Sequence, residues 1–372
     1  MIAVIKPSKN QYRIYFFFPF YHIGGAEKVH AQIAKATGGK DCVIYFTKRS
    51  ESEGFLNEFK ESGCIIKNIS ACTDNKWLYF LNLIYRGIIS GIINRQTNKP
   101  IVFNGQCNFG YKISPWVNKK IKQIELIHSF NSFSWIRMPF IKYYQQNITV
   151  SKQVINWHIK HYKKINFPEK LFDKFSFIET KIKLPTKPFK KDFDSNIKVI
   201  YVGRGTSDKR VHLAAMIAEK VKNLKLKIDF SFAGNVKEVV PINLQCNINF
   251  LGDITDEQKL ADFYIQSHIL LVTSSTESGP LVILEAMAYG LAVITTDVGF
   301  APNYIKQEIN GYKVSVKKNE EEIVNEMTEY LLTLFNDKNK LKKISENNIE
   351  IAKKYFGIEH FIEAYQKLFN TF

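Results

Sequence analysis

Ser274-Ser275-Thr276-Glu277-Ser278-Gly279-Pro280-Leu281-Val282-Ile283-Leu284-Glu285-Ala286-Met287-Ala288 is the stretch that decides the fold. The apolar run Ile269-Leu270-Leu271-Val272 precedes it and has the length and composition of a buried strand. Gly279 and Pro280 punctuate a turn, and proline suits the first position of a helix. The spacing predicts a helix from about Leu281 to Tyr289 that stops at Gly290. One carboxylate, Glu277, then lies in a strand-to-helix loop and the other, Glu285, on the helix that follows. In an open parallel sheet such loops bind ligands. Loop amides and a helix N-terminus attract phosphate, while carboxylates accept hydrogen bonds from hydroxyls. Phosphate and hydroxyls together suggest a nucleotide sugar.

The same alternation extends in both directions. Strand patterns occupy Arg13–Phe20, Asp41–Thr47, Ile101–Asn104, Ile124–Ile127 and Asn147–Ser151, with Ser151 placed to cap the next helix. Gly24 and Gly25 follow the first strand, and helical spacing runs from Ala26 to about Ala36. Leu184-Pro185-Thr186-Lys187-Pro188-Phe189-Lys190-Lys191 has the prolines and charges of a linker. The pattern then restarts with strands at Lys198–Val202, Lys227–Ala233, Ile248–Gly252 and Ala292–Thr296, and a helix at Val211–Val221. Phe356–Phe372 has amphipathic spacing. Strands alternating with helices predict an α/β chain with parallel sheets. The expected architecture is two Rossmann-like, doubly wound domains facing a central cleft. Their expected spans are residues 1–184 and 196–356, joined by the linker 185–195, with the helix 357–372 packing back on the first domain.

Composition bounds the function. At 372 residues and 45% apolar content the chain can fill two cores. Met1-Ile2-Ala3-Val4-Ile5 is too short for a signal peptide, and Trp77–Ile93, interrupted by Asn82, Arg86 and Gly87, is expected to be a buried helix rather than a membrane span. Five widely spaced cysteines without a Cys-x-x-Cys pair favour reduced thiols in a cytosolic protein, with Cys42 and Cys246 expected in the core. The net charge of +17 is uneven: residues 1–194 hold 31 Lys and Arg against 13 Asp and Glu, and residues 195–372 hold 21 against 22. The basic half interleaves aromatics, which suits an anionic membrane surface. Nucleic acid or a plain solvated surface are the alternatives.

Val202-Gly203-Arg204-Gly205-Thr206-Ser207-Asp208-Lys209 lies between a strand and a helix, and two cations five residues apart can clamp a diphosphate. A dinucleotide fingerprint fails there, because Asp208 occupies the third glycine position. Asp192-Phe193-Asp194 matches an Asp-x-Asp metal motif but has no strand leading into it, so no metal site is assigned. Gly24-Gly25 would let backbone approach a phosphate or sugar. His128 ends a strand, in His128-Ser129-Phe130.

These motifs resemble those of the retaining GT-B glycosyltransferases of family 4, known as glycosyltransferase group 1. The resemblance covers nearly the whole chain. Glu277 through Glu285 with Ala286-Met287-Ala288 and Gly290 is similar to the family's E-x7-E signature, and Val202-Gly203-Arg204 with Lys209 to its second motif. Phe250-Leu251-Gly252, Asn310-Gly311-Tyr312, Gly24-Gly25 and Thr149-Val150-Ser151 match lesser ones. The resemblance implies a catalytic set of Arg204, Lys209, Glu277 and His128. Arg204 and Lys209 would hold the donor diphosphate, Glu277 the donor sugar with Ser278, Gly279, Pro280 and Leu281, and Glu285 the ribose. Gly24, Gly25, Gly203, Gly234 and Ile254 would complete the donor site, and His128 would contact the sugar near the reacting centre. Three departures stand out: Ile178-Glu179-Thr180-Lys181 where Asn-Gly-Val-Asp is usual, Pro280 in place of an amide donor, and Val298-Gly299-Phe300 where a glycine pair is common.

The implied activity is a retaining hexosyltransferase that moves a sugar from a nucleotide sugar to a hydroxyl of a glycan or lipid-linked glycan. It would need no cofactor or metal, prefer a UDP-sugar over a GDP-sugar, and serve cell-surface polysaccharide or lipopolysaccharide synthesis. Its expected place is the cytoplasm, peripheral at the inner membrane face, with no nucleic-acid partner. A sugar-nucleotide epimerase of the same architecture and a basic nucleic-acid-binding protein are the other readings.

Overall fold

The computed structural model describes residues 10–370 apart from Lys76, Leu78 and Asn131. The segment Met1–Ile5, where a signal peptide was considered, lies outside the described residues. The chain divides into two units, one of residues 1–180 with 359–372 and one of residues 181–358.

The first unit is built on seven parallel strands: β1 (Ile14–Phe18), β2 (Cys42–Phe46), β3 (Ile65–Asn68), β4 (Ile101–Gly105), β5 (Lys122–Ile127), β6 (Gln146–Thr149) and β7 (Phe175–Phe177). They lie in the order β3-β2-β1-β4-β5-β6-β7. The central strands β1, β2 and β4 are buried along their whole length, as continuous apolar runs in a parallel sheet require. Helices α1 (Gly25–Thr37), α2 (Leu56–Glu61), α3 (Ser70–Thr73), α4 (Tyr79–Asn94), α5 (Asn108–Ile113), α6 (Ser132–Arg137) and α7 (Lys152–Lys163) connect them. A buried ion pair ties β5 to α6: Arg137 donates from Nε and Nη2 to the two carboxylate oxygens of Glu125 at 2.5 and 2.7 Å. Neither side chain has any exposure.

The second unit has six parallel strands: β8 (Ile197–Val202), β9 (Ile228–Ala233), β10 (Ile248–Gly252), β11 (Ile269–Val272), β12 (Ala292–Thr296) and β13 (Gly311–Val314). Their order is β10-β9-β8-β11-β12-β13. Helices α8 (Val211–Asn223), α9 (Glu257–Gln266), α10 (Leu281–Ala288), α11 (Ala301–Tyr304), α12 (Glu320–Asn336) and α13 (Lys338–Tyr355) cover it. Strand order reverses between β8 and β11, so the loops leaving those two strands open side by side. That is the place where an open α/β sheet binds its ligand.

The last helix, α14 (Glu359–Asn370), belongs to the first unit. Phe369 meets Phe16 of β1 and Phe103 of β4 at 6.0 and 5.4 Å between ring centres, and Tyr365 meets Phe103 at 6.4 Å.

Four expectations are corrected. Ser151 stands at the N-cap of α7 with extended backbone, but its hydroxyl makes no capping hydrogen bond. Cys246 is exposed, in an irregular turn before β10, where its thiol has little apolar cover. The final helix starts at Glu359, because Phe356 instead ends α13 and is buried against Tyr304. The segment Trp77–Ile93 is not wholly buried: Ile89 and Ile93 enter the core, while Phe80 and Leu83 face outward. A helix on a sheet buries one stripe only.

Candidate active site

The group lies at the ends of β8 and β11 in the second unit. After β8 the chain turns through Gly203–Thr206, passes a short turn at Ser207–Lys209 and enters α8 at Val211. Arg210, at the N-cap of α8, adopts a left-handed backbone (φ 46°). This strained residue is held from three sides. Its guanidinium donates to the carbonyls of Thr273 and Ser274 at 2.9 and 3.1 Å, and its own carbonyl accepts from Thr273 Oγ1 at 2.9 Å. The Ser275 amide donates to the Asp208 carbonyl at 2.7 Å. These bonds lock the Ser207–Arg210 turn against the loop after β11.

That lock brings Lys209 to Glu277. Lys209 Nζ donates to Glu277 Oε1 in a short ion pair, and Ser274 Oγ donates to the same oxygen at 2.8 Å. Both side chains are largely sheltered, at 20% and 11% exposure. Arg204 is exposed, and its guanidinium makes no hydrogen bond or ion pair among the described residues. Its carbonyl accepts from Tyr201 Oη at 3.1 Å. Burial and then the Glu277 carboxylate hold the Tyr201 phenol well above its ordinary range, so it stays a neutral donor.

The glycines explain the tightness of this corner. Gly234 has φ +117°, and a Cβ there would lie 1.9 Å from the Gly203 carbonyl oxygen. Gly299, at φ +57°, would meet Pro280 and Glu277 at 3.0–3.1 Å, so the Val298–Phe300 turn lies directly on the Glu277–Pro280 loop. Gly279 packs on the Phe300 ring. Pro280 caps α10 and contributes no amide, which leaves the first-turn amides of the helix as the donors facing the loop. Along α10, Glu285 accepts from Tyr264 Oη at 3.0 Å, and Tyr264 stacks on Tyr289 at 5.5 Å. Ile254 is half-buried just beyond β10.

The structure therefore brings together Lys209, Glu277, Ser278, Gly279, Pro280 and Leu281, with Gly203 and Gly234 packed beside the same turn. It also joins two residues expected to have separate tasks: the cation meant for phosphate and the carboxylate meant for sugar are partners here. Arg210, Ser274 and Tyr264 were missed. No residue-level pattern marks them, although a Thr-Ser-Ser run after a buried strand advertises spare hydroxyls.

In the first unit, Gly24 ends the loop after β1 with extended backbone and Gly25 opens α1, where a Cβ would meet nothing within 4 Å. His128 follows β5. Its amide donates to Gln106 Oε1 at 2.9 Å, and its Nε2 lies 2.8 Å from Nε2 of His30 on α1. His30 is buried, stacked on Phe18 at 4.4 Å. Burial holds the His128 imidazole down to about 4, and burial with the neighbouring His128 holds His30 well below its usual value. Two neutral rings thus share one proton, and His128 keeps only Nδ1 for a ligand. His30 was overlooked, yet a histidine between Val29 and Ile33 on a core-facing helix stripe is the kind of buried polar residue that calls for a partner.

Among the described residues, no group of three or more His, Cys, Asp or Glu is arranged to hold a metal. None of the described helices is long and apolar enough to cross a membrane.

Two parallel-sheet units of this topology define the GT-B class. Over nearly its whole length the chain superimposes on HepE of Anabaena in complex with UDP-glucose, with a TM-score of 0.71 and 14% identity over 96% of this chain and 98% of that one. It also matches the lipopolysaccharide outer core galactosyltransferase WaaB, with a TM-score of 0.66 and 15% identity over 96% and 99% of the two chains. Residues 185–351, a little under half of the chain, match the family model described as Glycosyl transferases group 1. The matched stretch holds the Lys209–Glu277 corner. The phosphatidylinositol N-acetylglucosaminyltransferase GPI3 subunit of Saccharomyces cerevisiae is 27% identical over 130 residues, 33% of this chain and 28% of the yeast protein. The chain thus matches less than a third of that relative's length.

Proposed function

We propose that the chain is a retaining glycosyltransferase that moves a hexose from a nucleoside diphosphate sugar to a hydroxyl of a glycan or lipid-linked glycan. The observation that carries this is the Lys209–Glu277–Ser274 cluster, set at the strand-order reversal of a glycosyltransferase group 1 domain. A UDP-sugar is the preferred donor; HepE, of the same fold, binds UDP-glucose.

In this reading the diphosphate lies over the first turn of α10, where helix amides favour anions. Arg204 swings onto it from solvent, and Lys209 exchanges Glu277 for a phosphate oxygen. Glu277, released, accepts from donor-sugar hydroxyls. Glu285, oriented by Tyr264, accepts from the ribose. In the first unit His128, its Nε2 held against His30, keeps Nδ1 for a ligand hydroxyl. As the anomeric carbon–phosphate oxygen bond breaks, the acceptor oxygen attacks from the same face and its proton passes to the leaving phosphate. The α configuration is kept, and catalysis is positional and electrostatic. No metal is needed if the two cations carry the phosphate charge. The acceptor is met at the inner face of the cytoplasmic membrane, in the synthesis of surface polysaccharide or lipopolysaccharide. WaaB, of the same fold, carries a name from that chemistry, and the basic first half suits an anionic surface.

Thermal shift against UDP-, GDP- and ADP-sugars tests the donor, since a ligand of the native state raises its melting temperature. A UDP-sugar is expected to give the largest shift. Unchanged turnover in a folded Arg204→Ala/Lys209→Ala double variant would sink the diphosphate assignment. Release of a rearranged free sugar without acceptor would replace transfer by epimerisation.

A further inference from the structure

The helix α4 and its flanks present an outward apolar face. Trp77 is 94% exposed, Phe80 59%, Leu83 49% and Trp116 42%. Phe80, Leu83 and Gly87 fall at helical spacing on one side, and Ile84 and Ile88 border them half-buried. The Trp116 ring lies across Gly87, 3.8 Å from where a Cβ would be. Asn94 fastens it there, donating to the Trp116 carbonyl at 2.8 Å and accepting from the Asn118 amide at 2.7 Å. The only charged residue of α4 is Arg86, and it is buried, with Nε donating to Asn82 at 2.7 Å. The outward face of a sixteen-residue surface helix therefore carries no charge at all.

Scattered exposed apolar residues need no explanation, but a continuous stripe does. Its rim is cationic. Arg95, Lys119 and Lys120 are exposed at the C-terminal end, and Arg49 at the other, where its amide donates to Asp74 at 3.1 Å. From Asn75 to Lys120 there is no Asp or Glu. Indole and phenyl rings with lysine and arginine around them are the composition of a surface seated at the boundary of an anionic bilayer. Among the rim residues named, Asp74 is the one carboxylate, so the surface is matched in charge by an anionic partner.

We propose that the outer face of α4, with Trp77, Phe80, Leu83 and Trp116, is the element that docks this protein on an anionic lipid surface. This rests on the membrane part of the function proposed above and names its contact element. The apolar face enters the headgroup boundary, and Arg95, Lys119 and Lys120 meet lipid phosphates.

Vesicle flotation tests it, with phosphatidylcholine alone and phosphatidylcholine containing phosphatidylglycerol, on the full chain. Wild type is expected to float with the anionic vesicles, and brominated lipid is expected to quench its tryptophan fluorescence. The variant Trp77→Gln/Phe80→Gln/Leu83→Gln/Trp116→Gln changes exposed side chains only. It is expected to lose binding by roughly tenfold or more, while UDP affinity, measured in the same preparation, stays as in wild type. If that variant floats as well as wild type, the basic surface alone binds lipid, and the α4 assignment is overturned while the membrane reading stands. If wild type floats with neither vesicle, both fail, and transfer to a soluble acceptor remains open. If wild type instead self-associates in sedimentation and the variant does not, without vesicle binding, the face is a protein interface and the proposal is wrong.

Discussion

Replacing Glu277 by Gln separates the two tasks that the Lys209–Glu277 pair combines. Glu277 neutralises Lys209, so in the reading proposed above it competes with a diphosphate for that cation. Two unit charges about 4 Å apart interact by about 4 kcal/mol at an effective dielectric near 20. The pair is largely but not fully sheltered, at 20% and 11% exposure. Solvent screening and the desolvation already incurred leave a net competition of about 1–2 kcal/mol. Glu277→Gln should therefore tighten UDP binding by about 5- to 30-fold. Transfer should move the other way. The amide replaces one of the two acceptor oxygens by a donor and removes the charge, so if Glu277 holds the donor sugar, kcat/KM is expected to fall by about 100-fold or more. Titration calorimetry with UDP measures the first effect and steady-state transfer the second. Lys209→Met should weaken UDP binding, and the double variant should resemble Lys209→Met, because removing the carboxylate helps only a cation that is present. The tightening should shrink as salt is raised. If Glu277→Gln binds UDP no better than wild type, Lys209 is not the phosphate ligand, and the shared-cation mechanism is wrong.

Three further outcomes follow from the geometry. Gly234→Ala should lower stability by roughly 3 kcal/mol or more, seen as a drop in melting temperature, because its Cβ would collide with the Gly203 carbonyl at φ +117°. Gly252→Ala, at φ +66° with nothing near, should cost only about 1–2 kcal/mol. Glu125→Gln should cost about 3–5 kcal/mol by urea denaturation, since it leaves a buried guanidinium unpaired, whereas Glu125→Leu/Arg137→Met should fall close to wild type. Acid stability depends on the histidine pair. Their folded pKa values lie below the unfolded value of about 6.5, so the stability they allow is complete above that pH and is lost as pH falls toward about 4. Melting temperatures measured across that range should fall less steeply in His30→Leu than in wild type, and an unchanged slope would remove the pair from the account.

The alternation of apolar runs and helical spacing was legible along most of the chain, because buried parallel strands such as Ile14–Phe18 and Ala292–Thr296 have little compositional freedom. The strands Ile65–Asn68 and Phe175–Phe177 were not, since short edge strands carry exposed and polar residues that blur the pattern. The loop holding Glu277 was legible from its strand-turn-helix punctuation. Its bond to Lys209, across 68 positions, was not, because it depends on β8 and β11 being neighbours. The His30–His128 contact, 98 residues apart, is hidden for the same reason. The outward face of α4 escaped because an apolar run alone does not say which of its sides is covered. Apolar content marks a helix as burial-prone, and only the three-dimensional packing shows that Phe80 and Leu83 are left outside.

The placement of α14 bears on how the molecule is made. Residues 181–358 form a unit continuous in sequence, whereas the first unit needs Phe369 and Tyr365 to cover Phe16 and Phe103. During synthesis the N-terminal sheet emerges first but must wait, with an aromatic groove open, until the intervening unit and then residues 359–370 have left the ribosome. The second unit can finish folding before the unit that began earlier. The order of translation is thus inverted in the order of completion, and the interval is a window in which chaperones or misassociation compete for that groove.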